Sequence, residues 1–477
     1  MPSDITALTA SELSTAIRTR QLSCVETMRA YLARIDRYNP IYNAIVSRLD
    51  DDTCLALARF ADEELEHGEY RGWLHGIPHA VKDLADARGL PTSSGSPLFA
   101  GAMPAEDELH IARIRNAGAI FIGKTNVPEF GMGSQTYNSV FGVTRNAWDP
   151  ALTAGGSSGG AAVALAAHML PVADGSDMMG SLRNPAAFNN VVGFRPSQGR
   201  VPATPEDLFY GQLSVNGPMG RNLEDTIRLL DTMAGFDPRA PLTMRDGLPG
   251  FDEYTPTPLG SIRIGWMRDF DGYLATEPGV LELCEQALQG LESHGARVEA
   301  TAPRFDMDRL WRSWLTLRHW SHAGRQAMLE DSFQRQQLKP EMIFEIQGSL
   351  ALSASAINRA SIARAEWYHA LHALFDRFDL LALPTAQVFP FSAELHWPDE
   401  INGRAMDTYH RWMEVVIGGT LAGVPVLNVP VGFDDRGRPM GMQLIGPMGA
   451  DQAVLEFGLS YELVTGYLGR RPSLEET

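Results

Sequence analysis

The pattern of apolar and polar positions predicts helices at the start of the chain. Apolar residues recur at helical spacing through residues 1–65. Thr9-x-x-Glu12 and Ser23-x-x-Glu26 are capping-box patterns that precede two of these stretches. We therefore expect residues 1–65 to form N-terminal helices.

From about residue 74 the pattern changes to short apolar runs that are bounded by Gly, Ser and Pro and alternate with helical stretches. Such alternation is typical of an α/β fold built around a central sheet. The same strand texture returns towards the end of the chain. The predicted strands cover 77–81, 119–122, 380–383, 425–430 and 440–444, and the predicted helices cover 109–117 and 161–170.

Residues 236–375 differ from both of their flanks. They begin with Pro-rich text, continue with a predicted strand over 261–266, and then carry helices rich in aromatic residues. We interpret the chain as a single domain, 1–477. Within it, residues 70–235 form the core, 236–375 form a variable helical insertion that shapes a pocket, and 376–477 return to the sheet.

Composition narrows the classes of function. The chain has a formal net charge of −18 and no basic run longer than two residues. Nucleic-acid binders need clustered Lys and Arg, so we do not expect nucleic-acid binding. Cys24, Cys54 and Cys284 are too sparse for a disulfide framework or a metal site, and we expect buried, reduced thiols. The sequence shows neither a secretory h-region nor a run of about 18 apolar residues, so we expect a cytoplasmic protein without a membrane segment.

One segment matches the P-loop pattern of nucleotide-binding proteins. Gly118 to Thr125 reads G-x-x-x-x-G-K-T. A P-loop needs a strand before the first glycine and an open loop between the two glycines. Here a helix precedes Gly118, and Ala-Ile-Phe-Ile between the glycines is itself typical of a strand, so we do not predict nucleotide binding.

A second segment contains the nucleophile-elbow pattern G-x-S-x-G, with Ser158 at its centre. That elbow follows a strand directly, whereas the text before Gly156 is typical of a loop. It also requires a late histidine. His410 is available, but nothing around it marks a catalytic loop, so we do not favour this interpretation.

Two further features leave alternatives open. The Gly/Ser tract over 155–181 leads into a helix, where free backbone N–H groups could cradle an oxyanion, but composition alone favours simple tight turns. Lys82 ends an apolar strand, where burial would lower its pKa and make it a base. It could equally pair with Asp83 or extend to the surface.

Taken together, these segments resemble the amidase signature family. The resemblance rests on motifs in the family's order and covers most of the chain, most densely over 70–235. It implies an α/β fold with a large, mixed, twisted central sheet flanked by helices. The motifs are Gly76-Ile-Pro-His-Ala-Val-Lys-Asp83, Gly123-Lys-Thr-Asn-Val-Pro-Glu-Phe130, Gly155-Gly-Ser-Ser-Gly-Gly160, Gly180-Ser-Leu-Arg-Asn-Pro-Ala186, Gly423-Val-Pro-Val-Leu-Asn-Val-Pro430 and Gly441-Met-Gln-Leu-Ile-Gly446.

The resemblance implies a serine amidohydrolase that needs no metal and no organic cofactor. Carried over by position, Ser181 is the nucleophile, Ser157 is the serine that follows a cis peptide bond, and Lys82 is the catalytic base. Ser157 would relay a proton between the other two, and an acyl-enzyme would form on Ser181. The expected substrate is a small carboxamide or an aryl or alkyl amide.

The resemblance also implies which residues support the nucleophile. The backbone N–H groups of Met178, Met179, Gly180 and Ser181 would form the oxyanion hole. Three further residues would support the nucleophile: Ser158, Asp177 and Arg183. Of these, Asp177 and Arg183 would brace the nucleophile loop. The remaining histidines that attract attention, His79, His168 and His319, have no role in this scheme and are interpreted as structural. Helical spacing likewise favours core packing over pocket lining for Trp311, Trp314 and Trp320.

The sequence departs from the family at one position next to the nucleophile. Met179 stands where the family usually has the first of two glycines. If its φ were positive, methionine would cost about 1–3 kcal/mol there. Our hypothesis is that Met179 trims the acyl pocket and restricts the substrates, and the alternative is an impaired site.

Three functions therefore stand beside one another. The first is a stand-alone amidase acting on a small-molecule amide, without nucleic acid or membrane as partner; a homodimer is left open. The second is the glutaminase subunit of a tRNA-dependent amidotransferase, which shares the same motifs. The third is a non-catalytic subunit that keeps the fold.

Overall fold

A mixed eight-stranded sheet, flanked by helices, forms the centre of the protein. The structure is a computed structural model, and it describes residues 4–474. The strands are β1 Ile45–Val46, β2 Pro78–Lys82, β3 Ile120–Thr125, β4 Tyr137–Asn138, β5 Gly142–Val143, β6 Val172–Asp177, β7 Val192–Arg195, β8 Val215–Gly220, β9 Arg263–Trp266, β10 Arg297–Ala300, β11 Leu380–Pro384, β12 Glu400–Ile401, β13 Arg404–Ala405, β14 Val426–Phe433 and β15 Pro439–Ile445.

Helices lie towards both ends of the described residues, and further helices lie within 236–375. They are α1 Ala10–Arg18, α2 Cys24–Tyr42, α3 Asp51–Glu66, α4 Leu109–Asn116, α5 Gly159–Ala166, α6 Arg183–Asn189, α7 Leu223–Met233, α8 Val280–Ser293, α9 Met307–Trp320, α10 Ala327–Glu330, α11 Ser332–Gln337, α12 Pro340–Leu350, α13 Ala354–His372, α14 Ile417–Ala422 and α15 Asp451–Thr465. α1, α2 and α3 lie where the sequence predicted N-terminal helices, and residues 1–3 of that prediction lie outside the described residues. Both capping boxes form: the Thr9 side chain accepts from the N–H of Glu12, and Ser23 accepts from the N–H of Glu26.

The order of the large sheet is β10-β9-β11-β15-β14-β7-β8-β6. The three predicted C-terminal strands form its middle, which confirms the α/β fold with a mixed central sheet. β9, β10 and β11 run parallel, and the pairs from β11 to β6 are antiparallel. The insertion thus adds an edge to the sheet. β10 was not predicted, because it is largely exposed and carries Arg and Glu instead of an apolar run.

β2, which ends in Lys82, lies in a separate three-stranded sheet of order β1-β3-β2. Side-chain contacts take the place of a backbone ladder between β2 and β6. The carboxylate of Asp174 accepts from the backbone N–H of Lys82 at 3.2 Å, and it lies 2.9 Å from Nε2 of His79. One buried carboxylate therefore ties the two sheets together next to Lys82.

α5 is fully buried, and small residues let it approach the neighbouring backbone. A Cβ atom on Gly160 would lie 2.3 Å from the backbone nitrogen of Asn126 and 2.5 Å from the carbonyl oxygen of Ala44. Glycine is therefore required there by close approach. This packing fixes the N-terminal end of α5, where Ser157 and Ser158 lie.

The segments with the P-loop and nucleophile-elbow patterns have the local structures that the sequence predicted, and neither structure suits the function of its motif. Gly118 lies in a turn after α4 with φ of +100°, and the residues between the glycines begin β3. Ser158 starts α5 after a loop, with no strand before it. Both sites lack the backbone that their motif requires.

Other sequence predictions also have clear outcomes. The three cysteines are buried and unpaired. Trp311 and Trp314 are buried in the core as predicted, whereas Trp320 is partly buried and packs edge-on against Tyr210. None of the helices within residues 4–474 is both long and apolar enough to cross a bilayer.

Candidate active site

Lys82 lies at the end of β2 with only 1% of its surface exposed. Its Nζ atom is 2.9 Å from Oγ of Ser157 and 2.7 Å from Oγ of Ser158. It also contacts Oγ of Ser176 at 2.9 Å and the carbonyl oxygen of the same residue at 3.2 Å. The alternative of a lysine that extends to the surface is thereby excluded.

Burial lowers the pKa of Lys82 to about 7, against the opposing effect of the nearby carboxylates of Asp174 and Asp177. Asp83 does not pair with it, because that carboxylate instead accepts hydrogen bonds from the hydroxyl and backbone N–H of Ser93. A lysine with a pKa near 7 is partly neutral at physiological pH. It can accept a proton there, as a general base must.

Ser157 and Ser181 line one cavity of about 90 Å³. The Gly156–Ser157 peptide bond is cis, as the resemblance implied. Ser181 lies in the loop between β6 and α6, and its carbonyl oxygen accepts from the N–H of Ser158 at 3.2 Å. No hydrogen bond joins the two Oγ atoms. Catalytic contacts of this kind are often long before substrate binds.

Asp177, at the end of β6, braces the loop that carries Ser181. Its carboxylate accepts from the N–H groups of Gly180 and Leu182 at 3.0 and 3.2 Å, and from the guanidinium of Arg183 at 2.9–3.0 Å. Arg195 adds a further contact at 3.2 Å. Burial alone would raise the pKa of Asp177, but the two arginines hold it well below its usual value. The carboxylate is therefore permanently charged and fixes the loop.

The backbone of the loop leaves donors free. We find no acceptor within residues 4–474 for the N–H groups of Met178, Met179 and Ser181. The N–H of Gly180 already donates to Asp177 at 3.0 Å. Gly180 has φ of +78°, and a Cβ atom there would lie 3.0 Å from the side chain of Val416. The positive φ therefore favours glycine at this position, and a Cβ atom would also force the side chain of Val416 to shift.

Met179 lies on the wall of the same cavity and is 5% exposed. Its φ is not positive, so the strain that a methionine would suffer in the left-handed region is absent. The side chain packs into the main hydrophobic core. Met179 and Ser181 therefore line the same cavity.

Another part of the cavity lining comes from α9 and from the segment before α14. Arg318 and His410 line it, and both are buried. Nε of Arg318 donates to Glu345 at 2.6 Å, and Nη2 donates to the hydroxyl of Tyr409 at 2.7 Å. This cluster was not predicted from the sequence, because its members come from three distant segments and no local motif marks any of them.

The three histidines interpreted as structural do not line this cavity. His79 contacts Asp174, and His319 lies 2.8 Å from the carboxylate of Glu345. Nδ1 of His168 lies 3.0 Å from the carbonyl oxygen of Thr6, near the start of the chain. Ser176 is a contact of Lys82 that the motifs did not mark, although it directly precedes Asp177.

Lys82 lines a second cavity, of about 250 Å³. This cavity shares the lining residues Leu84, Phe130, Ser176 and Ser214 with the first, so the two are adjacent. Burial raises the pKa of Glu108, on its wall, to about 7. A second group that titrates near neutral pH therefore lies close to the lysine.

Known proteins with similar sequences and structures fall in one group. The family model described as Amidase matches residues 26–455. A glutamyl-tRNA(Gln) amidotransferase subunit from a Cyanothece species is 31% identical over 97% of this chain and 99% of its own. An acylamidase of Rhodococcus erythropolis is 30% identical over 98% of this chain and 97% of its own.

Solved structures agree with the sequence relatives. A bacterial aryl acylamidase of the amidase signature family superposes with a TM-score of 0.90 and 27% identity, covering 97% of this chain and 98% of that one. The family match extends over most of the chain, and the likeness to acylamidases supports amide hydrolysis. The chain thus belongs to the amidase family, in its amidase signature fold.

Proposed function

We propose that the chain is a stand-alone amidohydrolase that cleaves the C–N bond of a small carboxamide or of an aryl or alkyl amide. The acyl-enzyme intermediate forms on Ser181. The observation that carries the proposal is the 2.9 Å contact between Nζ of Lys82 and Oγ of Ser157, beside a cavity that Ser181 also lines. A serine hydroxyl is a weak nucleophile and needs such a base.

In the acylation step, neutral Lys82 takes the proton of Ser157, and Ser157 takes the proton of Ser181. Oγ of Ser181 then forms a bond to the carbonyl carbon of the amide. The negative charge that develops on the oxygen is held by backbone N–H donors, each worth about 2.7–4 kcal/mol in other hydrolases. Met178, Met179 and Ser181 supply these donors, since the N–H of Gly180 is engaged by Asp177.

The C–N bond breaks as Ser157 passes its proton to the leaving nitrogen, and Lys82 returns its own proton to Ser157. The amine therefore departs with the proton that Ser181 gave up. Water then attacks the acyl-enzyme and loses a proton through the same relay, which releases the acid and restores Ser181. Asp177 and Arg183 hold the loop in place, and Ser158 holds Lys82 from its other side.

A serine-reactive fluorophosphonate tests this proposal without knowledge of the substrate. We expect a single adduct by intact-mass analysis on the wild-type protein and none on Ser181→Ala. An adduct that persists in Ser181→Ala would overturn the assignment of the nucleophile. No adduct on either protein would favour a non-catalytic subunit.

A second function rests on the relatives. The similarity to the amidotransferase subunit is as strong as the similarity to the acylamidase, which supports a glutaminase that works within a complex. The isolated chain distinguishes the two. Release of ammonia or amine from simple amides at rates well above those from glutamine supports the stand-alone amidase, and turnover of glutamine alone supports the glutaminase.

A further inference from the structure

Two adjacent cavities of unequal volume lie at the candidate active site. The cavity that Ser157 and Ser181 line measures about 90 Å³, and the cavity that Lys82 lines measures about 250 Å³. Since a water-sized group occupies about 30 Å³, the smaller cavity holds roughly three such groups and the larger cavity roughly eight. The site therefore suits an amide with one short portion and one long portion.

The chemistry of acylation determines which portion of the amide is the short one. The proposed relay delivers a proton from Ser157 to the leaving nitrogen, so this nitrogen must lie against Oγ of Ser157. That oxygen is 2.9 Å from Nζ of Lys82, and Lys82 lines the larger cavity. The amine portion of the substrate therefore lies on the side of the larger cavity.

The acyl portion lies on the other side of the scissile bond. In the proposed mechanism its carbonyl oxygen faces the N–H groups of Met178, Met179 and Ser181. These three residues line the smaller cavity and not the larger. An acetyl group has three non-hydrogen atoms, so it matches the volume of the smaller cavity, whereas a longer acyl chain exceeds that volume.

Ser214, directly before β8, lines both of these cavities. It also lines a third cavity of about 540 Å³, which shares Glu108 and Asn216 with the cavity that Lys82 lines. The side chain of Ser214 is small, and the residue is exposed. A chain that starts at the leaving nitrogen can therefore pass Ser214 and continue towards the third cavity.

Hydrogen-bonding side chains surround much of the cavity that Lys82 lines. They include Ser94, Glu108, Ser176 and Asn216. A plain alkyl chain would displace water from such groups without replacing its hydrogen bonds, which is costly. Oxygen or nitrogen atoms in the amine portion would replace those bonds, so a polar amine fits this cavity better than an alkyl amine.

We propose that the substrate is the N-acetyl derivative of an elongated, polar amine. Its acetyl group lies in the smaller cavity, and its amine portion runs through the larger cavity past Ser214. Hydrolysis consumes one water molecule, breaks the C–N bond and releases acetate and the free amine. The inference deepens the proposed function and rests on it.

Three amides distinguish the two sides of the scissile bond. N-hexylacetamide carries its long chain on nitrogen, whereas its isomer N-methylheptanamide carries the long chain on the acyl side. N-(5-hydroxypentyl)acetamide, the hydroxyl analogue, has the chain length of N-hexylacetamide but ends in a hydroxyl group in place of the terminal methyl group. Their kcat/KM values are measured on the wild-type protein beside that of acetamide.

We expect kcat/KM for N-hexylacetamide to exceed that for N-methylheptanamide by at least about tenfold, the usual discrimination against a methylene that a pocket cannot hold. The hydroxyl analogue should exceed N-hexylacetamide by about fivefold, the gain from one net hydrogen bond.

Two bulky substitutions test where the amine portion lies. Ser214→Trp and Leu84→Trp each enlarge a residue that lines both cavities. At least one of them should lower the ratio of kcat/KM for the hydroxyl analogue to that for acetamide by about tenfold, because acetamide has no chain on nitrogen. Ser214→Ala adds no bulk and should keep this ratio within about twofold of the wild-type value.

Equal or faster hydrolysis of N-methylheptanamide would overturn the inference, and this comparison needs no variant. The inference also fails if the hydroxyl analogue is hydrolysed no faster than N-hexylacetamide. The same holds if neither Ser214→Trp nor Leu84→Trp lowers the ratio in variants whose Ser181 a fluorophosphonate still labels.

Labelling of the wild-type protein reports on the proposed function separately. A labelled Ser181 without turnover of either long-chain acetamide counts against this inference alone. A wild-type protein that the fluorophosphonate does not label counts against the proposed function itself.

Discussion

Two groups of residues at the candidate active site are built differently. The serine wall consists of Ser157 and Ser181, which line the cavity, and of their supporting residues Lys82, Ser158 and Asp177. It comes from the compact stretch between β2 and α6. Its base and its carboxylate find their partners within the protein. This wall is therefore preorganised before any ligand arrives.

The arginine wall consists of Arg318 and His410, which line the cavity, and of Glu345 and Tyr409, which contact Arg318. It comes from the insertion and the C-terminal part. The charges of Arg318 and Glu345 balance each other, but neither ring nitrogen of His410 has a hydrogen-bond partner among the described residues. The comparison teaches that a fixed wall suits the chemistry, which is the same for every amide. The arginine wall comes from parts of the chain outside the motifs, where we expect recognition to differ between ligands.

The largest expected effect comes from the serine wall. Ser157 and Ser158 both place a hydroxyl against Nζ of Lys82, at 2.9 and 2.7 Å, so each is the matched control for the other. We expect Ser157→Ala to lower kcat by about 10²–10⁴-fold, the range of a lost acid–base group. Ser158→Ala should lower it by less than about tenfold. Steady-state kinetics on a simple amide measures both, and equal losses would contradict the relay.

On the arginine wall we expect an effect on stability. Glu345→Gln leaves the charge of buried Arg318 unbalanced, which costs about 3 kcal/mol of unfolding free energy. Glu366→Gln is the control, because it breaks an ion pair with Arg309 between α9 and α13 in which both side chains are more than 40% exposed. An exposed pair contributes at most about 1 kcal/mol.

Denaturant unfolding of both variants measures this difference. If Glu345→Gln is no less stable than Glu366→Gln, the charge of Arg318 does not depend on Glu345 for its balance. Labelling of Ser181 by a fluorophosphonate should persist in Glu345→Gln, since the serine wall keeps all its partners. Loss of labelling would show that the two walls are not independent.

The pH dependence of hydrolysis separates the walls further. Lys82 works as a base only when neutral, and its pKa is lowered to about 7. We therefore expect kcat/KM to rise about tenfold per pH unit below pH 7 and to level off above it. Glu108, whose pKa is raised to about 7, could produce a transition at the same pH. Glu108→Gln should keep the profile, and a profile that disappears in this variant would assign the transition to Glu108.

The sequence predicted the serine wall and the arginine wall to different extents. The serine wall lies within about a hundred residues, and Lys82, Ser157 and Ser181 each carry a local motif of Gly, Ser or Lys. Apolar alternation predicted β2, β3 and the middle of the large sheet. The structure brings Ser157 and Ser181 to one cavity and places Nζ of Lys82 against Ser157, and the roles of the three residues stay predictions.

The arginine wall could not be predicted for a physical reason. Arg318 and Glu345 are charged residues in amphipathic helices, where a charge is normally solvated. Only the tertiary packing of α9 against α12 buries the pair, and neither helix shows a motif for it. The engagement of the Gly180 N–H by Asp177 was missed in the same way, since backbone partners leave no trace in the sequence.

Met179 lines the same cavity as Ser181. Our hypothesis that it limits the size of the acyl group gives the smallest expected effect. The side chain of Met179 occupies space beside Ser181 without backbone strain. We expect Met179→Gly to raise kcat/KM for amides with one or two extra acyl methylenes about tenfold relative to acetamide, the usual discrimination per methylene. Met179→Leu, which conserves volume, should keep the wild-type order of substrates.

Removal of a buried methionine side chain costs about 2–5 kcal/mol, so the variants are compared well below their melting temperatures. Met179→Gly could act through added space in the cavity or through a more flexible backbone. Met179→Ala distinguishes the two, because it opens the cavity but keeps a Cβ atom on the backbone. If Met179→Ala and Met179→Gly widen the acyl range alike, the side chain sets the limit. An acyl profile that stays unchanged in both would show that the serine wall takes no part in recognition, and would leave selectivity to the arginine wall alone.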